Sequence, residues 1–211
     1  MIHTKCRAIF GIGGLARELY FNLVDKNVVF FVDDNFYRDD IFFENKLIKP
    51  ISDFNPDNYS IIIAVSEPIK RQNIIKRLPV NTEFWSFIHP SINLNHTNNI
   101  GCGAIILENS IITTNVIIGD FAVIHSFSVI AHDVKIGNFF TCAYGVKISG
   151  AVKIGNNVFL GTNSAVKQNI SISDNVVIGL SGVVVKNINH SGTFVGVPVK
   201  KISSKVNVFG N

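Results

Sequence analysis

From residue 100 to residue 184 an apolar side chain returns at every sixth position. The series is Ile100, Ile106, Ile112, Ile118, Ile124, Ile130, Ile136, Cys142, Ile148, Ile154, Leu160, Val166, Ile172, Ile178 and Val184. Fourteen of the fifteen are aliphatic and the other is a small, apolar cysteine. Ile88 and Leu94 extend the register backwards. A period of six is not a multiple of 3.6, so no helical face accounts for it. Two positions before each aliphatic the residues are small, β-branched or phenylalanine, from Ala104 and Ser110 to Val176 and Gly182. That composition suits short strands separated by tight corners. Ile-Gly pairs recur 18 residues apart, at 100–101, 118–119, 136–137 and 154–155. Three six-residue units therefore make one coil, and the coil is a three-sided prism. The aliphatic residues point inward and stack coil upon coil, as a solenoid requires. Roughly five coils fit between residues 90 and 186. The Ile-Gly glycines are expected at one corner, where positive φ is needed.

The first 87 residues read differently. Arg7–Phe10, Val28–Val32 and Ile61–Val65 are expected strands. Leu15, Leu19 and Leu23, with Ala16, Tyr20 and Val24, form one helical face, and Glu67–Leu78 is a second expected helix with Pro68 in its first turn. Strand–helix–strand alternation implies a small parallel sheet. The expected division is an α/β Rossmann-like domain over residues 1–87, followed by a parallel β-helix over 88–211.

Gly11-x-Gly13-x-x-Ala16 lies between a strand and a helix, the setting a dinucleotide-binding turn needs. Glycines let the backbone approach a phosphate, and the helix start offers free N–H groups. Asp33 follows Gly13 by 20 residues at the end of the next strand, where an acid binds a ribose hydroxyl or a base edge. The turn fits an NAD enzyme, a domain that holds a nucleotide attached to a substrate, or a glycine turn that only packs helix on strand. About 85 residues is half of a full dinucleotide fold, which favours a mononucleotide-sized ligand.

Composition narrows the classes further. Cys6, Cys102 and Cys142 are odd in number and far apart, against a disulfide scaffold. No apolar run is long enough to span a membrane, and the start lacks the pattern of a signal peptide, so a cytoplasmic protein is expected. The net charge of +4 divides unevenly: residues 135–211 carry +7 and residues 1–134 carry −3. The lysines are spread singly, unlike a nucleic-acid-binding tail. Such a field attracts a polyanionic small molecule or simply solvates the surface.

Four histidines (His3, His89, His96 and His190) fall in the terminus, the junction, the first coil and a late loop, where a structural or solvent role is expected. His125 and His132 occupy consecutive six-residue units outside the inward position, so both side chains are expected to reach the outer surface. A neutral imidazole suits removal of a proton from an amine or hydroxyl attacking an acyl group.

The segments Val129-Ile-Ala-His-Asp-Val-Lys-Ile-Gly137, Val152-Lys-Ile-Gly-Asn-Asn-Val-Phe-Leu-Gly161 and Val195-Gly-Val-Pro-Val-Lys200 resemble the bacterial sugar O- and N-acetyltransferases of the hexapeptide-repeat class. The likeness is greatest to the nucleotide-linked 4-amino-sugar N-acetyltransferases and the sialic acid O-acetyltransferase-like group of glycan biosynthesis, which also carry a small N-terminal domain with a glycine turn and an acid pair like Asp33-Asp34. The resemblance implies a left-handed coil, although parallel crossovers are normally right-handed. It implies acetyl-CoA as donor, no metal, and a homotrimer with active sites between subunits. His132 matches the family's general base and Asp133 the acid that orients it, here one methylene shorter than the usual Glu. His125 stands where relatives often carry an Asn that approaches the sugar. Gly150 matches the backbone N–H that holds the thioester oxygen. Gly161, Thr162 and the turn at Pro198 match the pantetheine groove, with Lys167 and Lys200 as phosphate ligands. Gly13, Gly14, Asp33, Asp34 and Ser66 are then the nucleotide-sugar residues. An O-acetyltransferase acting on a sugar hydroxyl is the first alternative, and a zinc lyase of the same solenoid shape a remote one, since zinc needs at least three protein ligands. Cys142, on the inward register, reads as core.

Overall fold

The structure is a computed structural model in which residues 5–40 and 42–206 are described; His3 lies outside them. The chain begins with β1 (Cys6–Phe10), α1 (Gly14–Asn22) and β2 (Val28–Val32), then β3 (Phe42–Phe43), β4 (Lys46–Pro50), β5 (Tyr59–Ile63), α2 (Pro68–Arg77) and β6 (Glu83–Phe84). The six strands form one sheet in the order β3-β4-β2-β1-β5-β6. All neighbours are parallel except β3 and β4. That pair is a hairpin whose turn residues Glu44 and Asn45 both have positive φ. It was not anticipated, because Lys46 and Lys49 interrupt the apolar pattern of β4. β5 begins two residues earlier than the run Ile61–Val65 suggested.

From Phe87 onward the chain winds into a left-handed parallel β-helix of two-residue strands. They form three sheets, one per prism face. The first includes Ile105–Ile106, Val123–Ile124, Thr141–Cys142 and Phe159–Leu160; the second Ile111–Ile112, Val129–Ile130, Lys147–Ile148, Ala165–Val166 and Val183–Val184; the third Asn99–Ile100 to Ser171–Ile172. Each residue pairs with the one 18 further on, as Val123 with Thr141 and Ile124 with Cys142. The six-residue series forms one continuous core, with Cys142 fully buried in it and Ile88, Leu94 and Ile100 packed against its end. Burying each such side chain stabilises the fold by about 1.5–3 kcal/mol.

The corners correct one expectation. Gly101, Gly119, Gly137 and Gly155 do not have positive φ. They are glycines because the next coil passes too close: a Cβ on Gly137 would sit 2.7 Å from Asn156 Oδ1. The left-handed conformation falls two residues later, and at every corner. From Gly103 to Ser181 fourteen residues spaced by six all have positive φ, and six of them are asparagine. Asparagine is among the few residues that tolerate this region. Phe121 and Phe139 occupy it too, where their rings stack at 5.3 Å and 12° and so offset the strain.

The two parts share a packed junction. α1 buries Leu15, Ala16, Leu19 and Tyr20 in a cluster that includes Ile105, Leu107 and Val123 of the first face. Arg71 of α2 is wholly buried and reaches into the coils. Its guanidinium donates to the carbonyls of Val65, Phe121 and Phe140 and to Thr141 Oγ1. Burial pushes its pKa down to about 9, which leaves it a cation at neutral pH, held by carbonyl dipoles and the Thr141 hydroxyl. It thus ties the loop after β5 to two successive coils.

The corner geometry makes a direct prediction. Asn169 has φ +59 and an exposed side chain. Asn169→Ala is expected to destabilise the chain by about 1 kcal/mol, and Asn169→Gly by much less. Thermal unfolding checks it, with a fall of about 2–4 °C for alanine only.

Candidate active site

His132 sits at the corner after the second face, just beyond Val129–Ile130, with its ring in solvent (62% exposed). Its Nδ1 lies 2.8 Å from Asp133 Oδ2. Asp133 holds the left-handed corner position at φ +61. There a short acid turns back on its neighbour, so the missing methylene does not prevent the contact. Asn115, one coil earlier, donates from Nδ2 to Asp133 Oδ1 at 3.1 Å. The hydrogen bond from His132, then that from Asn115, hold the Asp133 carboxyl below its usual pKa. An ionised acid on Nδ1 fixes the proton there and leaves Nε2 as the acceptor.

Gly150 lies one coil beyond His132. A Cβ there would stand 2.5 Å from His132 Cε1 and 2.6 Å from Nε2. The imidazole therefore lies on the bare backbone of Gly150, and any side chain would push it off. Among the described residues the Gly150 N–H donates to no acceptor. On the neighbouring corner the equivalent N–H groups are capped by acids or amides one coil on, as Cys102 N–H is by Asp120 and Asn138 N–H by Asn156. The His132 corner combines an unprotonated Nε2 with a free backbone donor.

Further along this edge come Lys167 and then Lys186, three coils from His132, a span of about 14 Å at roughly 4.8 Å per coil. Val199 N–H bonds to Val183 O and folds the C-terminal strand over the end. Pro198 and Lys200 there line a cleft of about 280 Å³ with Val185, Lys186, His190 and Lys201. Val197-Pro198 is a cis peptide bond. Gly161 and Thr162 do not join this set. They lie at the other end of the second face, in the corner column of His125 and Tyr144. Gly161 is closely packed: a Cβ would meet Leu180 N at 2.7 Å.

The glycine turn opens a second region. Gly11 has φ +107 and needs to be glycine, whereas Gly13 and Gly14 have open space where a Cβ would stand and leave the α1 N-terminus bare. A cleft of about 500 Å³ runs over the ends of β1, β2 and β5 and is lined by Gly11, Val32, Asp33, Phe36, Asn73 and Arg77. It continues, through Gly11, Val65 and Lys70, into a smaller one lined by Gly13, Gly14 and Ser66. Asp33 is not a free acid. Arg77 grips it with two hydrogen bonds of 2.6 and 2.8 Å, the main reason its pKa is lowered. Asp34 turns aside and accepts from Ser52 N–H. Arg77 and Lys70 were not foreseen, since nothing in a helical lysine or arginine reveals which cleft it faces.

His125 corrects another expectation. It does not reach the outer surface; its side chain is 9% exposed, covered by α1 and the loop after β5. Its Nε2 lies 3.3 Å from Ser66 Oγ, its Nδ1 3.7 Å from Glu18 Oε2, and its ring 4.7 Å from that of Tyr144. The six-residue register placed it outside the coil, which is true, but could not show that another part of the chain covers that corner. Among the described residues no three His, Cys, Asp or Glu side chains are grouped to hold a metal.

The chain thus carries a histidine–aspartate pair over a bare glycine on one prism edge, and a glycine-turn cleft over the N-terminal sheet. No protein-family model matches the sequence, and no curated protein matches it. Solved structures do. The fold is similar to the perosamine N-acetyltransferase PerB of Caulobacter crescentus, in complex with CoA and GDP-perosamine (22% identity, TM-score 0.83, 94% of this chain and 97% of that one). It is similar to the acetyltransferase domain of PglB from Neisseria gonorrhoeae in complex with acetyl coenzyme A (22%, 0.84, 94% and 99%). It is also similar to WeeI from Acinetobacter baumannii (21%, 0.82, 94% and 100%). At these identities the likeness establishes the fold, over nearly the whole chain.

The His132 corner makes a prediction of its own. Asn115→Ala removes a hydrogen bond that favours the ionised Asp133, so the Asp133 carboxyl should titrate at a higher pH than in the parent, still below the usual value while His132 remains. Carboxyl carbon shifts followed by NMR over acid pH check this; an unchanged midpoint refutes it.

Proposed function

We propose that the protein is an N-acetyltransferase that moves an acetyl group from acetyl-CoA to the 4-amino group of a nucleotide-linked amino-deoxysugar. The observation that carries the reading is the His132 corner: an oriented imidazole with a free acceptor nitrogen, lying over Gly150, whose N–H has no acceptor among the described residues. The fold neighbours whose ligands are known hold CoA with GDP-perosamine, or acetyl coenzyme A, and this chain has a place for each kind of ligand. The basic cleft at Lys186, Lys200 and Lys201 fits a phosphorylated donor, and the glycine-turn crevice fits a nucleotide.

The chain's residues divide the work as follows. The bare α1 N-terminus at Gly13 and Gly14 receives the diphosphate. Asp33 and Arg77 meet the nucleoside. His132 Nε2 takes the proton from the sugar amine as its nitrogen bonds to the thioester carbonyl carbon. Gly150 N–H holds the oxygen that becomes negative. Collapse breaks the C–S bond, returns the carbonyl and releases the CoA thiolate, which takes up a proton. Holding both reactants on one scaffold removes the entropy cost of bringing them together.

Gly161 and Thr162 lie on a different corner from Lys167 and Pro198, and a single prism keeps the two corners apart. A second copy brings one corner against the other. Ile111, Ile117 and Phe127 are exposed on the coils, which favours such packing. A three-fold closed ring satisfies every copy, and we assign the site to the interface of a homotrimer. The described helices are too short and polar to cross a membrane, and a cytoplasmic supply of acetyl-CoA matches the reading.

His132→Asn is expected to lower kcat by about 10²–10⁴ while leaving KM for both substrates within a few-fold. The assay is thiol release from acetyl-CoA with UDP-, dTDP- or GDP-linked 4-amino-sugars. Undiminished transfer by the variant removes His132 from the chemistry. Thiol release only with hydroxyl acceptors makes the protein an O-acetyltransferase.

A further inference from the structure

The transfer step leaves one polar cluster unused, in which the side chain of His125 is buried and those of Glu18 and Tyr144 are partly exposed. It lies where α1 meets the coils. Tyr144 Oη donates to Glu18 Oε1 at 2.5 Å. Glu18 Oε2 faces His125 Nδ1 at 3.7 Å, and both atoms are buried without a hydrogen-bond partner among the described residues. His125 Nε2 is 3.3 Å from Ser66 Oγ. The main chain at Ser66 is pinned, because its carbonyl accepts from Thr141 Oγ1 at 2.7 Å and Thr141 in turn accepts from Arg71. Ser66 itself lines the crevice beside Gly13 and Gly14.

The chemistry of the cluster sets its direction. The His125 and Tyr144 contacts hold the Glu18 carboxyl below its usual pKa, so it is an anion. A carboxylate repels a lone pair and attracts an N–H, so the proton of His125 sits on Nδ1. Nε2 is then an acceptor, and the Ser66 hydroxyl donates to it. Ser66 Oγ keeps lone pairs for a second partner, and Ser66 lines the crevice. A phosphate has only acceptor oxygens and gains nothing from them, whereas a sugar hydroxyl is a donor. The order of residues along the crevice agrees. Asp33, Phe36 and Arg77 stand at one end, the α1 N-terminus in the middle, and Ser66, joined to the β-helix, at the other.

We infer that Glu18, acting through His125, fixes Ser66 as a hydrogen-bond acceptor that reads a ring hydroxyl of the sugar attached to the nucleoside diphosphate. Ser66 is the specificity residue; His125 and Glu18 are positioning residues. The inference rests on the nucleotide-sugar reading, and two measurements separate their failures.

The first needs no substrate. In the full chain labelled with ¹⁵N-histidine, His125 should show a single form, protonated on Nδ1 and bare on Nε2. Glu18→Gln should turn this into a mixture. A parent protein with Nε2 protonated overturns the inference. The second is calorimetric binding of UDP, dTDP and GDP and of their 4-amino-sugar conjugates to the parent, Ser66→Ala and Glu18→Gln. Loss of one hydrogen bond is expected to weaken the conjugate by about 3- to 10-fold and leave the bare diphosphate within twofold. Equal weakening of both, or of neither, overturns the sugar assignment. A parent that binds no nucleotide in any form overturns the nucleotide-sugar reading itself, whatever the histidine spectrum shows.

Discussion

Everything in this chain depends on the vertical stacking of residues 18 apart. Each coil offers its edge to the next through parallel pairs, and the same three corners recur. The stacking makes the core a column of like residues, so one polar substitution on the inward series is felt by the coils on either side. It also makes each outer column a ladder. Asp120, Asn138, Asn156 and Asp174 cap backbone N–H groups on one corner. The corners of His132 and of Tyr144 carry no such ladder among the described residues. Gly150 has no side chain to cap the His132 N–H, and among the described residues none caps its own.

The same geometry sets the shallow grooves of the coils apart from the deeper cleft of the N-terminal part. A prism edge is convex and offers small grooves. A larger cleft of about 500 Å³ lies over the N-terminal sheet, where β1, β2 and β5 end together. The junction fixes that cleft against the solenoid by two unlike devices. One is the apolar contact of α1 with Ile105, Leu107 and Val123. The other is Arg71, a buried cation held by carbonyls from both parts. A cation buried without a counter-ion is costly unless every donor is satisfied. The alignment of those carbonyls is therefore strict, and so is the placing of the loop that carries Ser66.

The solenoid was legible in the sequence because burial there is periodic, and a period survives wherever the chain starts counting. Cys142 fell inside and His132 outside on that ground. The corner conformation was less legible. Its position is held by asparagine, phenylalanine, aspartate, alanine, serine and glycine, types with no common chemistry, united only by a backbone angle. The Ile-Gly pairs gave a clear spacing and a wrong cause, since close approach of the next coil, not positive φ, requires glycine there. β3 and β4 were missed because a short hairpin with charges on its exposed side lacks a two-residue period.

The sequence by itself determined the prism, its inward column, the bare helix start at the glycine turn and the neighbouring pair His132-Asp133. All of these are local or periodic, and their partners lie at fixed offsets along the chain. Only the tertiary structure decided that Arg77 holds Asp33 and that His125 lies between Ser66 and Glu18. Those contacts join residues 44 to 107 positions apart across the junction of two differently built parts. No repeat relates the two parts, so nothing in the spacing of the residues announces where they meet.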